Sequence, residues 1–314
     1  FVFLQRYKNG KLHAKIQEQM TKIKQIFFIV LAAIFIYACD DNNFFNDPFN
    51  DVDHEALAIS DNDTIVKFLK GHYYDAAVDS LKPISSGQTS LFDDTNNLKI
   101  IDLRENDIDY KLYIYKTSEG ADPNQKGSPT FVDSVFVKYE GKSFSGTTYS
   151  DVNFTARNRI WFNLTSVLSG WSFGFTQFKG GELKTEPNGD PYNGPITYLN
   201  PGKGFIFIPS GLAYPSSNVQ NRSSLLVDSN ILFKVELYDF VANTDHDNDG
   251  VPTILENLDG DNTPNNDDTD EDGIPNFFDT DDDEDGVLTK NEDRNGDGNP
   301  TNDFNDPNNP TLPD

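Results

Sequence analysis

The chain has 314 residues, room for roughly two domains of about 150 residues each, and carries 51 Asp and Glu against 25 Lys and Arg, a formal charge of −26. So acidic a balance excludes nucleic acid as a partner, because phosphate binding runs on cationic surface, and it disfavours acidic ligands generally. Hydrophobic residues make up only 36%, yet 25 Phe, 13 Tyr and 2 Trp are more rings than a disordered chain carries, so the polar excess is local: residues 241–314 hold 23 of the acids and only two bases, Lys290 and Arg294, leaving a near-neutral, aromatic remainder long enough to bury a core.

At the amino end, Lys22 and Lys24 precede an uncharged apolar run of 13 residues, Ile26 to Ala38, which stops at Cys39, the only cysteine. A basic segment followed by a short apolar one reads as a secretory signal; a spanning helix needs about 20 residues. Met20 reads as the start of that signal and residues 1–19 as an upstream extension. A lone thiol excludes an internal disulfide framework. Ile36-Tyr37-Ala38-Cys39 resembles a bacterial lipobox, which implies acylation of Cys39, a membrane anchor through lipid, and an outer-membrane or cell-surface location outside the cytoplasm. The acidic tract Asp40-Asp41-Asn42-Asn43 resembles the surface-export signal of Bacteroidetes lipoproteins. Stable anchoring takes more than one acyl chain, and bacterial lipoproteins as a class carry several.

Residues 44–53 mix Asn, Asp and Pro48 without periodicity and read as a tether. Ala56 to Ile59 and Ile65 to Leu69 recur at helical intervals, with Asp61 or Asp63 available as an N-cap and Gly71 just past the end. Beyond them the pattern alternates: Leu98–Leu103, Tyr110–Tyr115 and Phe131–Tyr139 read as strands bounded by Asp, Gly and Pro. The predicted divisions are 1–39 (extension and signal), 40–109 (tether and a small helical and strand region), 110–240 (a globular domain) and 241–314 (an acidic tail).

Between Tyr110 and Phe240 five blocks, in order, resemble the FKBP-type peptidyl-prolyl isomerases. Val135 to Tyr139-Glu140-Gly141 is similar to the family strand ending Tyr-x-Gly, and Gly146 to Tyr149-Ser150-Asp151 to its Gly-x-x-Phe-Asp. Val167-Leu168-Ser169-Gly170-Trp171 to Gly174 resembles the Val-Ile-x-Gly-Trp-x-x-Gly helix of the pocket floor. Ile208-Pro209 to Ala213-Tyr214 resembles the Ile-Pro-x-x-x-Ala-Tyr loop, and Ile231 to Leu237 the closing strand. The resemblance implies an α+β fold, a bent antiparallel sheet wrapped over one short helix. It also implies a catalytic pocket of Tyr139, Tyr149, Asp151, Phe162, Val167, Leu168, Trp171, Tyr214 and Phe233, with Leu225 or Leu226 on the last loop. Trp171 would underlie the prolyl ring, the Tyr214 hydroxyl and the Leu168 N–H would hold carbonyls, and the partners would be proline-containing protein clients, with no cofactor for catalysis. Three departures stand out: Ser150 where the family has Asp, with Asp151 one place later; an insertion at 179–200, read as a hairpin or flap near the pocket; and Pro215 after Tyr214 where the family has Gly.

The tail carries three 12-residue patterns with acids at positions 1, 3, 5 and 12 and Gly at 6: Asp245, Asp247, Asp249, Glu256; Asp268, Asp270, Asp272, Asp279; and Asp281, Asp283, Asp285, Glu292. That is the rule for a calcium loop, so Ca2+ is the expected structural ion. A fourth copy from Asp293 has Phe304 at position 12. Spacings of 12 to 23 residues leave no room for EF-hand helices. Ile274-Pro275 and Asn276-Phe277-Phe278-Asp279 resemble bacterial thrombospondin type 3 repeats, which implies an extended, calcium-wrapped array, with His246 pointing outward and order gained on binding metal.

Taken together the sequence predicts a prolyl cis/trans isomerase on a lipid anchor. Two other readings compete: a proline-segment binder or chaperone using the same cleft without turnover, and a calcium-dependent adhesion or spacer protein. None of the four histidines, His13, His54, His72 and His246, has metal-ligand spacing with cysteine, and there is no Ser-Gly elbow for a hydrolase.

Overall fold

The computed structural model describes Phe49 and residues 51–145, 148–155, 158–296 and 300, with backbone alone for Asn124, Ser145 and 148–155. Cys39 and the signal segment lie outside the described residues. Residues 1–50 and 51–314 are separate units, and the second is described here.

Its first element is helix α1, His54–Gly71. Asp53 caps it, accepting from the Ala56 N–H at 2.9 Å, with Glu55 in the first turn and Lys70 in the last, each matched to the dipole of its end. Neither Asp61 nor Asp63 is the cap. Ala58, Asp61, Ile65, Phe68 and Leu69 form the buried stripe, at intervals of three and four.

A hairpin of β1 (His72–Asp75) and β2 (Ser80–Pro83) follows. The main sheet is antiparallel throughout, with order β3 (Leu98–Glu105), β4 (Ile108–Ser118), β10 (Gly202–Ile208), β11 (Asn230–Val241), β5 (Ser134–Ser145), β6 (Thr148–Thr155); β7 (Ile160–Asn163) also pairs with β5. Alternation along the strands gives it two buried faces. Leu112, Ile114, Ile206, Ile208, Phe233, Val235, Val135 and Val137 point to one face, against the short helix α2 (Ser169–Phe175); Tyr113, Tyr115, Phe205, Phe207, Leu232 and Phe144 point to the other, against Ile65, Phe68 and Leu69 of α1. Burying each such side chain contributes about 1.5–3 kcal/mol.

Two expectations change. The division at 109/110 cuts through β4 and severs β3 from its partner; α1, β3 and β4 belong to the same body as the rest of the sheet, because the second face needs a cover. The insertion at 179–200 is a hairpin, as predicted, of β8 (Glu182–Leu183) and β9 (Tyr198–Leu199), but Tyr198 packs on Phe136 and Tyr238, and none of the insertion lines the cleft described below.

Helix α2 lies close on β10 because it presents Gly170 and Gly174: a Cβ on Gly170 would overlap Ile208, and one on Gly174 would stand 2.8 Å from Ile206 Cδ1.

The tail is fixed to the sheet by buried Asp133, whose carboxylate accepts from the N–H groups of Thr244 (2.9 Å) and Thr130 (2.7 Å), while Ser134 N–H donates to Thr244 Oγ1 at 2.9 Å. Its described part contains only short 3-10 turns at Pro264–Asn266, Asn276–Phe278 and Thr289–Asn291. Gly250, Gly273 and Gly286, at position 6 of the three loops, have φ of +104°, +94° and +90°, a turn that side chains resist. The tail doubles back instead of running out as an extended array: Phe277 is fully buried, and His246 turns inward, its ring 5.9 Å from that of Phe277 and its Nδ1 2.8 Å from Thr253 Oγ1. Among the described residues no helix is long and apolar enough to cross a membrane.

Candidate functional site

Between the α2 face of the sheet and the loops at its end lies a cleft of about 900 Å³. Alternation brings Tyr139 from β5, Phe162 from β7 and Phe233 from β11 to the same side, and α2, opened by Leu168, whose carbonyl accepts from the Trp171 N–H at 2.8 Å, delivers Trp171 between them. The rings meet Trp171 edge-on: Tyr139 at 4.9 Å, Phe233 at 5.0 Å, Phe162 at 5.3 Å and Phe175 at 5.3 Å, interplanar angles 77–87°. This is the favoured geometry for aromatic quadrupoles. Trp171 Nε1–H is buried, with no hydrogen-bond partner among the described residues.

Seven of the nine pocket residues expected from the sequence line this cleft: Tyr139, Phe162, Val167, Leu168, Trp171, Tyr214 and Phe233. Tyr149 and Asp151 lie on β6, where only the backbone is described. Leu226 packs into the core and Leu225 is exposed; neither lines the cleft. The rim adds residues the sequence did not single out. Glu105 and Asn106 come from the β3–β4 turn, whose Asn106 and Asp107 have φ of +49° and +64°, as a two-residue hairpin demands. Asn218 and Asn221 come from the loop after Pro215. Glu105 is the only charged side chain in the described lining, which has no His, Cys or Lys.

The loop carrying Tyr214 is held from the opposite face of the sheet. Asp61 of α1, 4% exposed, accepts from Ser210 N–H (2.8 Å) and Ser210 Oγ–H (2.6 Å). Burial raises its pKa above the usual carboxylate value, against the pull of these bonds. Asp228 supports the other end of the loop, accepting from the Ser216 N–H at 2.8 Å and donating its own N–H to the Tyr214 carbonyl at 3.0 Å. Burial, then the neighbouring Tyr139, pushes the Tyr214 pKa up, so its hydroxyl stays a donor at neutral pH. Asp61→Ala leaves two buried Ser210 donors unsatisfied, and we expect a loss of about 2–4 kcal/mol in urea unfolding together with displaced Tyr214 resonances. Asp61→Asn keeps an acceptor and is expected to stay within about 1 kcal/mol of wild type.

In the tail, acids converge in four groups, each with ligand oxygens within 4.8 Å of one another: Asp245, Asp247 and Asp249; Asp249, Glu256 and Asp282; Asp268, Asp270 and Asp272; Asp281, Asp283 and Asp285. The position-12 acids behave differently. Glu256 joins a group, whereas Asp279 accepts from the Thr280 and Asp281 N–H groups and buried Glu292 stands outside the four sets. Among the described residues, both oxygens of fully buried Glu256 and one each of Asp247, Asp249 and Asp282 have no hydrogen-bond partner. Burial and then the surrounding carboxylates push Glu256 up to about 10, Asp282 to about 8 and Asp247 to about 7. An all-oxygen, strongly negative, partly buried donor set fits a hard divalent cation such as Ca2+.

Residues 246–312 match the family described as BamM C-terminal. A search of curated proteins found no match. Among solved structures the chain is similar to a peptidyl-prolyl cis-trans isomerase of Pseudomonas syringae pv. tomato (TM-score 0.34, 18% identity, 60% of this chain and 97% of that one) and to FkpA of Escherichia coli (0.31, 21%, 47% and 53%). It is also similar to a multi-domain immunophilin of Arabidopsis thaliana (0.30, 14%, 42% and 43%).

Proposed function

We propose that the domain is an FKBP-like peptidyl-prolyl cis/trans isomerase acting on proline-containing segments of client proteins outside the cytoplasm, anchored through acylated Cys39 at the outer membrane or cell surface. The observation that carries this reading is the box of rings standing edge-on around Trp171, with an unpartnered indole N–H and Tyr214 on its wall.

An X-Pro amide isomerises over a barrier of about 20 kcal/mol set by the resonance that keeps it planar. The planar form is charge-separated, so moving it from water into an apolar aromatic cleft costs it stabilisation relative to the twisted transition state. The cleft residues supply what this needs. Trp171, Tyr139, Phe162 and Phe233 exclude water and seat the prolyl ring, while the Tyr214 hydroxyl and the Leu168 N–H orient the flanking carbonyls. No covalent step is required.

In the tail, Asp245, Asp247, Asp249, Glu256, Asp268, Asp270, Asp272, Asp281, Asp283 and Asp285 would hold structural Ca2+ in a thrombospondin type 3-like array, with Asp279 and Glu292 beside it. Bound Ca2+ supplies the positive charge that these carboxylates lack.

Exchange NMR on a Phe-Pro peptide with calcium present tests the reading. Wild type is expected to accelerate exchange, and Tyr214→Phe to slow it about tenfold, the worth of one hydrogen bond of about 1.4 kcal/mol. Absent acceleration with cleft resonances still shifting on peptide addition would assign the cleft to binding proline segments without turnover.

A further inference from the structure

The second position of a calcium loop lies outside the ligand pattern, and in the first two loops it holds His246 and Thr269, each bonded to the residue seven places on, Thr253 and Asn276. In the third loop it holds Asp282, which faces inward and is 3% exposed. Its N–H donates to Oγ1 of fully buried Thr289 at 3.2 Å, which fixes the backbone there, and its Oδ1 has no partner. One of its oxygens lies within 4.8 Å of oxygens from both Asp249 and Glu256 of the first loop. Those two side chains are fully buried, Glu256 with both oxygens unpartnered and Asp249 with its Oδ2 unpartnered, Oδ1 being bound by the Val251 N–H at 2.7 Å. Ca2+–oxygen distances of about 2.4 Å allow ligands of one ion to stand up to about 4.8 Å apart. The two loops also approach one another at Gly250, where the Cβ of Lys290 lies 3.8 Å from the position a Cβ on Gly250 would take.

We propose that Asp249, Glu256 and Asp282 hold one Ca2+ between them, a clamp that fastens the third loop onto the first and closes the second loop inside a ring. The inference rests on the calcium reading of the tail and adds to it a ligand from outside the 12-residue pattern. It makes the loops interdependent: the first cannot fill this site unless the third is in place.

Calorimetric Ca2+ titration and amide hydrogen exchange on the full chain test it, with Asp282→Asn and, for comparison, Asp272→Asn, a member of the second loop's own set. Asp282→Asn is expected to weaken one Ca2+ equivalent at least tenfold and to lose protection in the first loop, at the Thr253 N–H, as well as in the third, at the Thr289 N–H; Asp272→Asn should leave both the Thr253 and the Thr289 N–H protected. In chelator the sign reverses. Without metal the Asp282 carboxyl has no cation to hold and its Oδ1 no partner among the described residues, so Asp282→Asn should be at least as protected as wild type, whereas a merely structural Asp282 would lose protection in both conditions. Wild-type binding with unchanged Asp282→Asn stoichiometry, affinity and first-loop protection overturns the clamp and leaves the calcium reading standing. A wild-type chain that binds no Ca2+ overturns both.

Discussion

Trp171→Ala is expected to bring catalysed exchange at an X-Pro bond down to the uncatalysed rate. The indole is the surface on which Tyr139, Phe162, Phe175 and Phe233 all stand edge-on. Each pair contributes about 0.5–1.5 kcal/mol beyond its buried area, and truncating a buried Trp costs about 3–5 kcal/mol of stability. The loss is therefore both a lost floor and a loosened box. Trp171→Phe separates the two: it keeps a ring and most of the packing but removes the N–H. Exchange NMR with a parallel urea melt reads both variants. Full activity in Trp171→Ala with an intact fold would take the cleft out of the account of catalysis.

The second large effect is expected on removing calcium. Chelation should lower amide protection across residues 249–292 while the sheet and the cleft keep theirs. At an effective dielectric of about 20, two carboxylates about 4 Å apart repel by about 4 kcal/mol. Asp245, Asp247, Asp249, Glu256 and Asp282 act on one another, so without a cation these acids either repel or, as the raised pKa values of Glu256 and Asp282 imply, take up protons and stay buried without partners among the described residues, a cost that falls on the packing of Val251 and Phe277. Because Asp133 and Thr244 belong to none of these acid groups and bond to each other directly, the junction with the sheet should hold. A tail whose exchange is indifferent to chelator would be an acidic tail without metal.

The aromatic cleft was legible in the sequence because its members sit in recognisable blocks along the chain: Tyr139, Phe162, Val167, Leu168, Trp171, Tyr214 and Phe233 meet where the block order puts them. The strands were legible through their alternation, though β3 and β4 extend past the predicted segments and β5 starts three residues later than predicted and runs on to Ser145. What stayed hidden were roles set by tertiary contact. Asp61 looks like a helix cap because Asp favours that position, and only the sheet behind it reveals that its partner is Ser210. The cover supplied by α1 left its trace in the residues between those of the pocket face, Tyr113, Tyr115, Phe205 and Phe207, which are apolar or aromatic where a strand with one wet face would be polar. Asp282 had a trace as well: an acid at a loop position where the other two loops have His and Thr.

Strand β11 lies in the interior of the sheet, in register with β10 from Gly202 to Ile208 on one side and with β5 from Ser134 to Phe144 on the other, and it runs directly into the first loop of the tail. If the tail is gripped by a partner and pulled along the strand, the load falls on both ladders in shear, so many hydrogen bonds must fail together and cannot be peeled one at a time. The Asp133 junction with Thr244 stands at the point where that tension would enter. A pull on the tail would thus load an interior strand paired on both sides, and the aromatic box, which includes Phe233 of that strand, would stay assembled until those ladders failed.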